Sequence, residues 1–394
     1  MSAQTSQLKT EAFAEDPQSP PDNNDTPINR AAELTQRTYF RGRVAMAAIL
    51  RGLAVKPGDD VLVQAFTCIA VPEAVFSIGA RPRYVDVALG SPNMDAADLK
   101  EKIRSDTKAV VIQHSFGLPA DVHALGNITA AAEIPMVEDC AHTIASSVNG
   151  RLVGSFGAGA FYSYEASKPV FVGIGGSAIA NDAALAAELA SSYSGFVEPS
   201  RSTQMQLLAM FIAHRVAYRP STYWTVRSLF RTLVKAGVIK GNYNKVEDES
   251  GPAEDFTRRM GARQHRMLES ALRQLESQTK HRVWVANQYR SHIANASVKH
   301  IPLEAGVAPV FGRYPMLVED KPEWIEGAKK ARVELADFYA TPVHPLEGDG
   351  LRRVGYEPGS CPNAEWIAKR VVSLPTGTQV DQRQIDRAID YFNR

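Results

Sequence analysis

The sequence predicts an α/β fold, in which a mostly parallel central sheet is flanked by helices and followed by a smaller α+β C-terminal domain. From about residue 30, short apolar runs of strand length alternate with helical segments, a pattern typical of βαβ units and of a parallel sheet. After Pro302 the elements become shorter. The chain has 394 residues, 44% of them hydrophobic, and can therefore bury a large core.

The predicted helices and strands alternate through the first half of the chain. Helices are expected at residues 43–54, 70–78, 98–103 and 121–133, and strands at 61–66, 83–87, 109–113, 135–138 and 160–164. Residues 259–293 then form one long amphipathic helical stretch. Because ligands of open parallel sheets bind beyond the carboxyl ends of the strands, we expect the functional site at that edge.

These patterns divide the chain into three parts. Residues 1–28 are polar and contain prolines, so we predict a disordered leader, and they lack the basic-then-apolar pattern of a secretion signal. Residues 29–258 form the predicted large domain, with a basic helical insertion at about 196–250. Residues 259–394 form the connecting helix and the small C-terminal domain.

Composition excludes several classes of function. The formal net charge of +1 at pH 7 provides no basic footprint for nucleic acid. The cysteines Cys68, Cys140 and Cys361 are widely spaced and form no CxxC pair, which argues against a disulfide framework or a zinc site and fits a reducing compartment. No uncharged apolar run is long enough to span a membrane. We therefore expect a cytoplasmic protein with no metal ion and no nucleic acid partner.

Residues 201–245, here called the basic segment, differ from the rest of the chain. They contain eight lysine or arginine residues and no acidic residue, together with many large apolar side chains. Such a mixture can form a helix that lies on a membrane surface, which would place the protein peripherally on the inner membrane face. The favoured alternative is a helical insertion that packs on its own subunit or on a dimer partner.

Two motifs carry candidate chemistry before residue 150. Gly42-Arg43-Val44 opens the first strong helix, and a helix N-terminus binds phosphate well. Asp139 follows an apolar strand, where a carboxylate can keep a pyridinium nitrogen protonated, although a helix N-cap is the simpler alternative for this motif alone. His142 follows closely, either over the face of a cofactor or as an ordinary buried histidine.

The third motif contains a lysine. A strand delivers Ser163, a turn follows, and Lys168 precedes the glycine-rich residues 173–176. A lysine in a partly dry site loses proton affinity and becomes a usable amine nucleophile, whereas most lysines are solvated at the surface. The glycines alone would indicate a flexible turn. The order of the three motifs points to one site.

Several blocks of sequence resemble the DegT/StrS family of sugar aminotransferases, which has pyridoxal 5'-phosphate (PLP) fold type I. The resemblance runs from about Arg41 to Asp182 and resumes near residues 258–276 and 361–377. The blocks include AFTCIAVPEAVFSIGARPRYVDV, NMDAADLKEKI, EDCAH, NGRLVGSFG, SYEASK and CPNAEWIAKRVVSLPTG. The resemblance implies a PLP-dependent aminotransferase that moves an amino group, with L-glutamate as the expected donor, to a keto group of a nucleotide-linked deoxysugar.

The resemblance implies roles for four residues near the cofactor ring. Lys168 matches the Schiff-base lysine, which also shuttles the proton between substrate and cofactor. Asp139 matches the partner of the pyridine nitrogen. His142 matches the residue stacked near the ring, and Cys68 lies at the position on the opposite face.

The remaining matches concern the cofactor phosphate. Gly42 opens the helix whose next residues, Arg43 and Val44, match a pair that meets the phosphate mainly through backbone N–H groups. Ser163 matches a phosphate contact. Thr257 replaces an asparagine that reaches the phosphate from the neighbouring subunit, and the match implies a homodimer with shared active sites.

Besides Thr257, the sequence departs from the family pattern at Ile174, and three alternative functions stay open. Ile174 stands where the family usually has a glutamate, in a loop expected to face the substrate. The alternatives are a PLP-dependent sugar dehydratase, a cyclitol aminotransferase, and a membrane-associated regulator or scaffold of the same fold. The family resemblance implies that the dehydratase members have a histidine in place of the lysine. Because this chain keeps Lys168, the aminotransferase is favoured.

Overall fold

A computed structural model of the protein describes residues 27–166, 168–217, 222–226, 228, 232 and 254–394. Most of the predicted leader, and most of the basic segment after Ala217, lie outside these residues. The first described helix begins at Pro27, within the last two residues of the predicted leader.

The secondary structure alternates strands and helices through the first half, as predicted. The strands are β1 (Thr38–Tyr39), β2 (Asp60–Gln64), β3 (Thr67–Cys68), β4 (Arg81–Val85), β5 (Thr107–Gln113), β6 (Met136–Asp139), β7 (Ser147–Val148), β8 (Arg151–Leu152), β9 (Gly159–Ser163), β10 (Gly176–Ala180), β11 (Val298–His300), β12 (Val307–Ala308), β13 (Arg313–Val318), β14 (Val343–His344) and β15 (Val371–Pro375). The α-helices are α1 (Pro27–Leu34), α2 (Gly42–Gly52), α3 (Ala70–Phe76), α4 (Ala96–Lys102), α5 (Val122–Ala131), α6 (Ala183–Tyr193), α7 (Arg201–Ala217), α8 (Ala262–Leu272), α9 (Leu275–His292), α10 (Lys321–Lys330), α11 (Asp349–Arg353), α12 (Pro362–Ala368) and α13 (Gln382–Phe392).

The central sheet has seven strands in the order β1-β10-β9-β6-β5-β2-β4. Five neighbouring strands, from β9 to β4, are parallel. At one edge of the sheet, β10 is antiparallel to β9, and β1 is antiparallel to β10. Successive side chains of a strand point to opposite faces. Val61 and Val63 accordingly enter one hydrophobic core while Leu62 enters another on the opposite face. Burial on both faces explains why these strands appear as continuous apolar runs.

The C-terminal part packs against one face of this sheet. It contains the antiparallel sheet β11-β13-β15, and its residues Val372 and Ile385 belong to the same core as Val61. The carboxylate of Asp86, just after β4, accepts hydrogen bonds from the backbone N–H groups of Asn363 and Ala364 at 2.9 and 2.8 Å. This carboxylate therefore holds the N-terminus of α12 on the large sheet.

The amphipathic stretch expected at 259–293 is helical over most of its length but consists of two helices. Arg259 instead forms a β-bridge with Tyr39, and the helical region is divided into α8 and α9 at residues 273–274. Leu272 and Leu275, on either side of the break, are buried in the core that contains Leu62, whereas later residues of α9 enter the other core. The break lets the chain pass from one core to the other.

Some of the described side chains of the basic segment pack on their own chain, whereas Met205 and Ile212 of α7 are exposed. Leu207 of α7 is buried against Phe40 and Ile174, and Trp224 Nε1 donates a hydrogen bond to the carbonyl oxygen of Val333 at 2.9 Å. This packing agrees with the favoured interpretation of a helical insertion, and nothing in it supports the membrane contact. Among the helices of the described residues, none is long and apolar enough to cross a membrane.

Candidate active site

A cavity of about 170 Å³ lies where β6 and β9 end, beside the N-terminus of α2. This is the edge at which the topology of the sheet predicts chemistry. The cavity brings together seven of the nine predicted site residues, which are Gly42, Arg43, Cys68, Asp139, His142, Ser163 and Lys168. Val44 and Thr257 lie outside its lining.

The start of α2 forms one end of the cavity. The side chain of the N-cap residue Arg41 makes no capping hydrogen bond, and the first residues of the helix, Gly42 and Arg43, line the cavity beside Ser163. The helix approaches the sheet closely: a Cβ atom on Gly42 would lie 2.9 Å from Ser163 Cβ, and one on Gly176 would lie 2.5 Å from Gly42 Cα. Gly176, in the predicted flexible turn, is therefore required for packing.

We expect Gly176→Ala to lower the free energy of unfolding by about 1–3 kcal/mol, because the new methyl group would overlap the backbone of α2. The same displacement of the helix start should weaken cofactor retention, measured by dialysis. Gly126→Ala is the control, since its Cβ would meet only Met136 Cε at 3.9 Å and alanine favours the helix. Equal urea midpoints for Gly176→Ala and the wild type would contradict the steric argument.

Asp139 is the last residue of β6 and is buried. Its Oδ1 accepts a hydrogen bond from the N–H of Ala141 at 2.9 Å. Burial raises the pKa of this carboxyl group above its ordinary value, while the Ala141 amide and the positive charge of Lys168 oppose the rise. The carboxylate is thus poorly stabilised by the protein alone and has room in the cavity for a cationic partner.

His142 is held as a neutral ring. Its Nδ1 accepts a hydrogen bond from the backbone N–H of Phe116 at 3.0 Å, so the proton is on Nε2, which lies 3.3 Å from Tyr339 Oη. Burial lowers the pKa of His142 well below its ordinary value, and the charge of Lys168 lowers it further. His142 therefore presents an uncharged imidazole at the cavity wall.

The depressed pKa of His142 predicts a pH dependence of stability. The unfolded chain binds a proton below about pH 6.5 and the folded chain does not, so stability should fall with decreasing pH, by up to about 1.4 kcal/mol per pH unit. His142→Asn keeps an acceptor for the Phe116 amide, and its urea midpoints should fall less between pH 6.5 and 5. The exposed His123→Asn should keep the wild-type slope. Equal slopes for His142→Asn and wild type would contradict this account.

Lys168 is half-buried in the turn after β9. Its backbone N–H donates to the carbonyl oxygen of Glu165 at 3.2 Å. Its ammonium group lies close enough to the neighbouring groups to oppose the rise in the pKa of Asp139 and of Cys68 and to add to the fall in the pKa of His142. Lys168 is therefore at the centre of the predicted constellation and is not a solvated surface lysine.

Cys68 lies in β3, which pairs in parallel with β14 so that Cys68 is opposite His344. Burial raises the pKa of the Cys68 thiol, which disfavours a thiolate at the cavity. The same pairing delivers Phe338, Tyr339 and His344 to the cavity from the C-terminal part. Sequence reasoning missed these three side chains, because the local sequence around them contains no signal for a contact with residues 67–68.

Charged side chains beside the cavity form ion pairs that the sequence did not reveal. Glu165 lines the cavity and forms an ion pair with Arg41 at 3.0 Å, and Arg41 forms a second ion pair with Asp255 at 2.9 Å. Arg43 forms an ion pair with Glu73 of α3. Glu165 lies in the block SYEASK, close to Lys168 in the sequence. That closeness was the one signal from which a position at the cavity could have been predicted.

A buried cluster lies beneath Asp139. His114, Glu138 and Cys140 place potential ligand atoms within 4.8 Å of one another. Glu138, however, accepts hydrogen bonds from His114 Nε2 at 3.0 Å and from the N–H groups of Gly154 and Gly157 at 2.7 and 2.8 Å. Although burial opposes it, these bonds hold the pKa of Glu138 below its ordinary value. The hydrogen bonds of Glu138 therefore hold the end of β6, which carries Asp139, in position.

Three predicted residues lie elsewhere than the cavity. The N–H of Val44 donates to the carbonyl oxygen of Arg41 at 3.1 Å, and the Val44 side chain is in the core. Thr257 is exposed in a short 3₁₀ helix, Glu254–Thr257. The loop of Ile174 was expected to face the substrate. In the structure the Ile174 side chain is buried with Phe40 and with Leu207 of α7 and does not line the cavity.

Comparison with known proteins gives a consistent result. The model of the DegT/DnrJ/EryC1/StrS aminotransferase family matches residues 39–216 and 226–393. The UDP-N-acetyl-3-dehydro-alpha-D-glucosamine 3-aminotransferase of Acidithiobacillus ferrooxidans is 26% identical over 355 residues, which cover 90% of this chain and 82% of that protein. The dTDP-3-amino-3,4,6-trideoxy-alpha-D-glucose transaminase of Streptomyces venezuelae is 26% identical over 353 residues, covering 89% and 79%.

A solved structure has the same fold. The crystal structure of S. venezuelae DesV, in complex with a ketimine intermediate, has a TM-score of 0.70 and 24% identity, covering 99% of this chain and 94% of that one. This likeness, together with the parallel central sheet, confirms the predicted fold class, PLP fold type I.

Proposed function

The chain belongs to the DegT/DnrJ/EryC1/StrS aminotransferase family, and from this premise we propose that it transfers an amino group from L-glutamate to a keto group of a nucleotide-linked deoxysugar. Aminotransferases of this family depend on PLP, so the protein is a PLP-dependent transaminase. The observation that carries the proposal is the convergence of Lys168, Asp139 and His142 on one cavity.

The residues of the cavity fit PLP. A buried carboxylate with a raised pKa, Asp139, suits a protonated pyridine nitrogen, because that cation would stabilise its charged form. The start of α2, at Gly42 and Arg43, suits a phosphate, because a helix N-terminus directs backbone N–H groups and the positive end of the helix dipole at an anion. Ser163 adds a hydroxyl group at the same end of the cavity.

When bound, PLP supplies an electron sink for the electrons of the substrate's Cα–H bond. Asp139 would keep the ring nitrogen protonated and so maintain that sink. The Nζ atom of Lys168 would hold the cofactor between turnovers and move the proton to and from the substrate carbon. His142, whose ring is neutral, would line the pocket without competing with Lys168 for the proton, and Cys68 would close another side of the same pocket.

We also propose that the protein acts as a homodimer with shared active sites. The support for this proposal is the match of Thr257 to the residue that, in the family, reaches the phosphate from the neighbouring subunit; Thr257 is exposed and does not line the cavity of its own chain. Within one chain, Gly42, Arg43 and Ser163 line the end of the cavity proposed for the phosphate, and Val44 does not.

The class of acceptor is supported by the relatives. The two relatives described above are named for UDP-linked and dTDP-linked sugars, which suggests a nucleotide-linked keto-sugar for this chain. The dehydratase, the cyclitol aminotransferase and the non-catalytic regulator, raised as alternatives, gain no support from these relatives.

The experiment treats the purified holoenzyme with L-glutamate alone and quantifies 2-oxoglutarate per active site. About one equivalent should form, since the first half-reaction transfers one amino group to the enzyme. Adding a dTDP-linked or UDP-linked 4-keto- or 3-keto-6-deoxysugar should restore the original visible spectrum and yield an amino sugar.

Borohydride reduction should label Lys168, as located by peptide mass spectrometry. A label elsewhere, or no 2-oxoglutarate from L-glutamate, would overturn the proposal.

A further inference from the structure

An arginine from a distant helix holds the segment that follows Lys168. Arg282 of α9 donates from Nη2 to the carbonyl oxygen of Pro169 at 3.1 Å. Its Nη1 donates to the carbonyl oxygen of Gly312 at 3.0 Å and to Thr376 Oγ1 at 3.0 Å. One planar guanidinium thus joins three chain segments, one of which is the turn that carries Lys168.

The same junction adjoins His142. The N–H of Gly312 donates to the carbonyl oxygen of Phe116 at 2.8 Å, and the N–H of Phe116 donates to His142 Nδ1. A Cβ atom on Gly312 would lie 2.9 Å from the carbonyl oxygen of His142 and 3.6 Å from Pro169 Cγ. The contacts of Arg282 therefore brace both the Lys168 turn and the loop that presents His142.

The chemistry of Arg282 indicates a positional role. Its three acceptors are neutral, whereas the nearby Arg313 donates to the carboxylate of Glu334 at 2.7 Å. Burial and the charge of Arg313 together lower the pKa of Arg282 to about 10, so the group stays protonated at neutral pH. A desolvated cation among neutral acceptors contributes little net stability, but its fork fixes the positions of the acceptors.

We propose that Arg282 is a positioning residue of the transaminase. By holding the carbonyl group of Pro169, it sets the backbone from which the amine of Lys168 reaches the cavity. The inference rests on the proposed role of Lys168. An error of about 1 Å in the position of a reacting group can cost on the order of a hundredfold in rate, so one hydrogen bond to this turn is enough to matter.

The test compares Arg282→Gln and Arg282→Lys with a matched control, Arg290→Gln, each as the holoenzyme. Arg290 lies on the same helix and donates to the carbonyl oxygen of Ile301 at 3.1 Å, so it shares the residue type and the kind of acceptor but not the Lys168 turn. Borohydride trapping counts the sites in which Lys168 holds the cofactor. The quantities measured are kcat per trapped site and KM for L-glutamate.

Arg282→Gln should lower kcat per trapped site by about tenfold to a hundredfold, with little change in KM. Arg282→Lys should lose less, because lysine keeps the charge but not the planar fork. Arg290→Gln should match the wild type. A merely structural role would reduce the number of trapped sites and leave kcat per site unchanged.

Two results would overturn the inference: a wild-type kcat per trapped site in Arg282→Lys and Arg282→Gln, or an equal loss in Arg290→Gln. If Arg282→Gln does not fold, Arg282→Lys alone decides by the same criterion. Absence of any Lys168 adduct in the wild type would instead overturn the proposed function on which the inference rests.

Discussion

Replacing Lys168 with alanine should lower kcat on the order of 10⁴-fold, because the variant loses both the amine that holds the cofactor and the group that moves the proton. The fold should be retained, since Lys168 is half-buried in a turn and its side chain is not part of either core. Turnover is measured as 2-oxoglutarate released from L-glutamate in the presence of the keto-sugar. Circular dichroism and the urea midpoint report the fold.

Lys168→Arg separates charge from proton transfer. Arginine keeps a positive charge beside Asp139 and His142, but it does not give up its proton at neutral pH. We therefore expect this variant to be as inactive as Lys168→Ala. Activity above about a hundredth of the wild-type value in either variant would contradict the role assigned to Lys168.

Asp139→Asn should have the second largest effect, a fall in kcat of about 10²- to 10⁴-fold. An amide cannot stabilise a protonated ring nitrogen as a carboxylate does, so the cofactor would lose its electron sink. Steady-state turnover measures the effect. Asp121→Asn is the control: Asp121 is an exposed N-cap that accepts from the N–H of Ala124 at 2.9 Å, and asparagine caps a helix equally well.

The same substitution should stabilise the cofactor-free protein at neutral pH. The folded-state pKa of Asp139 is raised, so its contribution to stability is present at acid pH and is lost as the pH rises through the folded-state value. Asparagine removes the charge and keeps the acceptor for the Ala141 amide. Cofactor-free Asp139→Asn should therefore unfold at higher urea than the wild type at pH 7. A lower midpoint would show that the carboxylate is stabilised by groups other than those described.

Much of the sheet was predictable from sequence because its strands are buried on both faces. The apolar run around Val61–Val63 shows no alternation, and such a run between helices indicates a parallel strand. The strand-end position of Asp139 and the turn before Lys168 followed from the same pattern. The break between α8 and α9 was not predictable, because the residues on both sides have helical periodicity and only the two separate cores require the change of direction.

The sequence by itself determined which chemical groups follow the strand ends: the opening of α2 at Gly42, Asp139 after β6, and Lys168 after β9. Local order was sufficient there, since parallel strands bring their carboxyl ends to one edge. Only the tertiary structure decided that Tyr339 contacts His142 and that Arg282 holds the Lys168 turn. Those contacts join residues more than 100 positions apart, and they depend on how the C-terminal part packs on the sheet, which no local periodicity encodes.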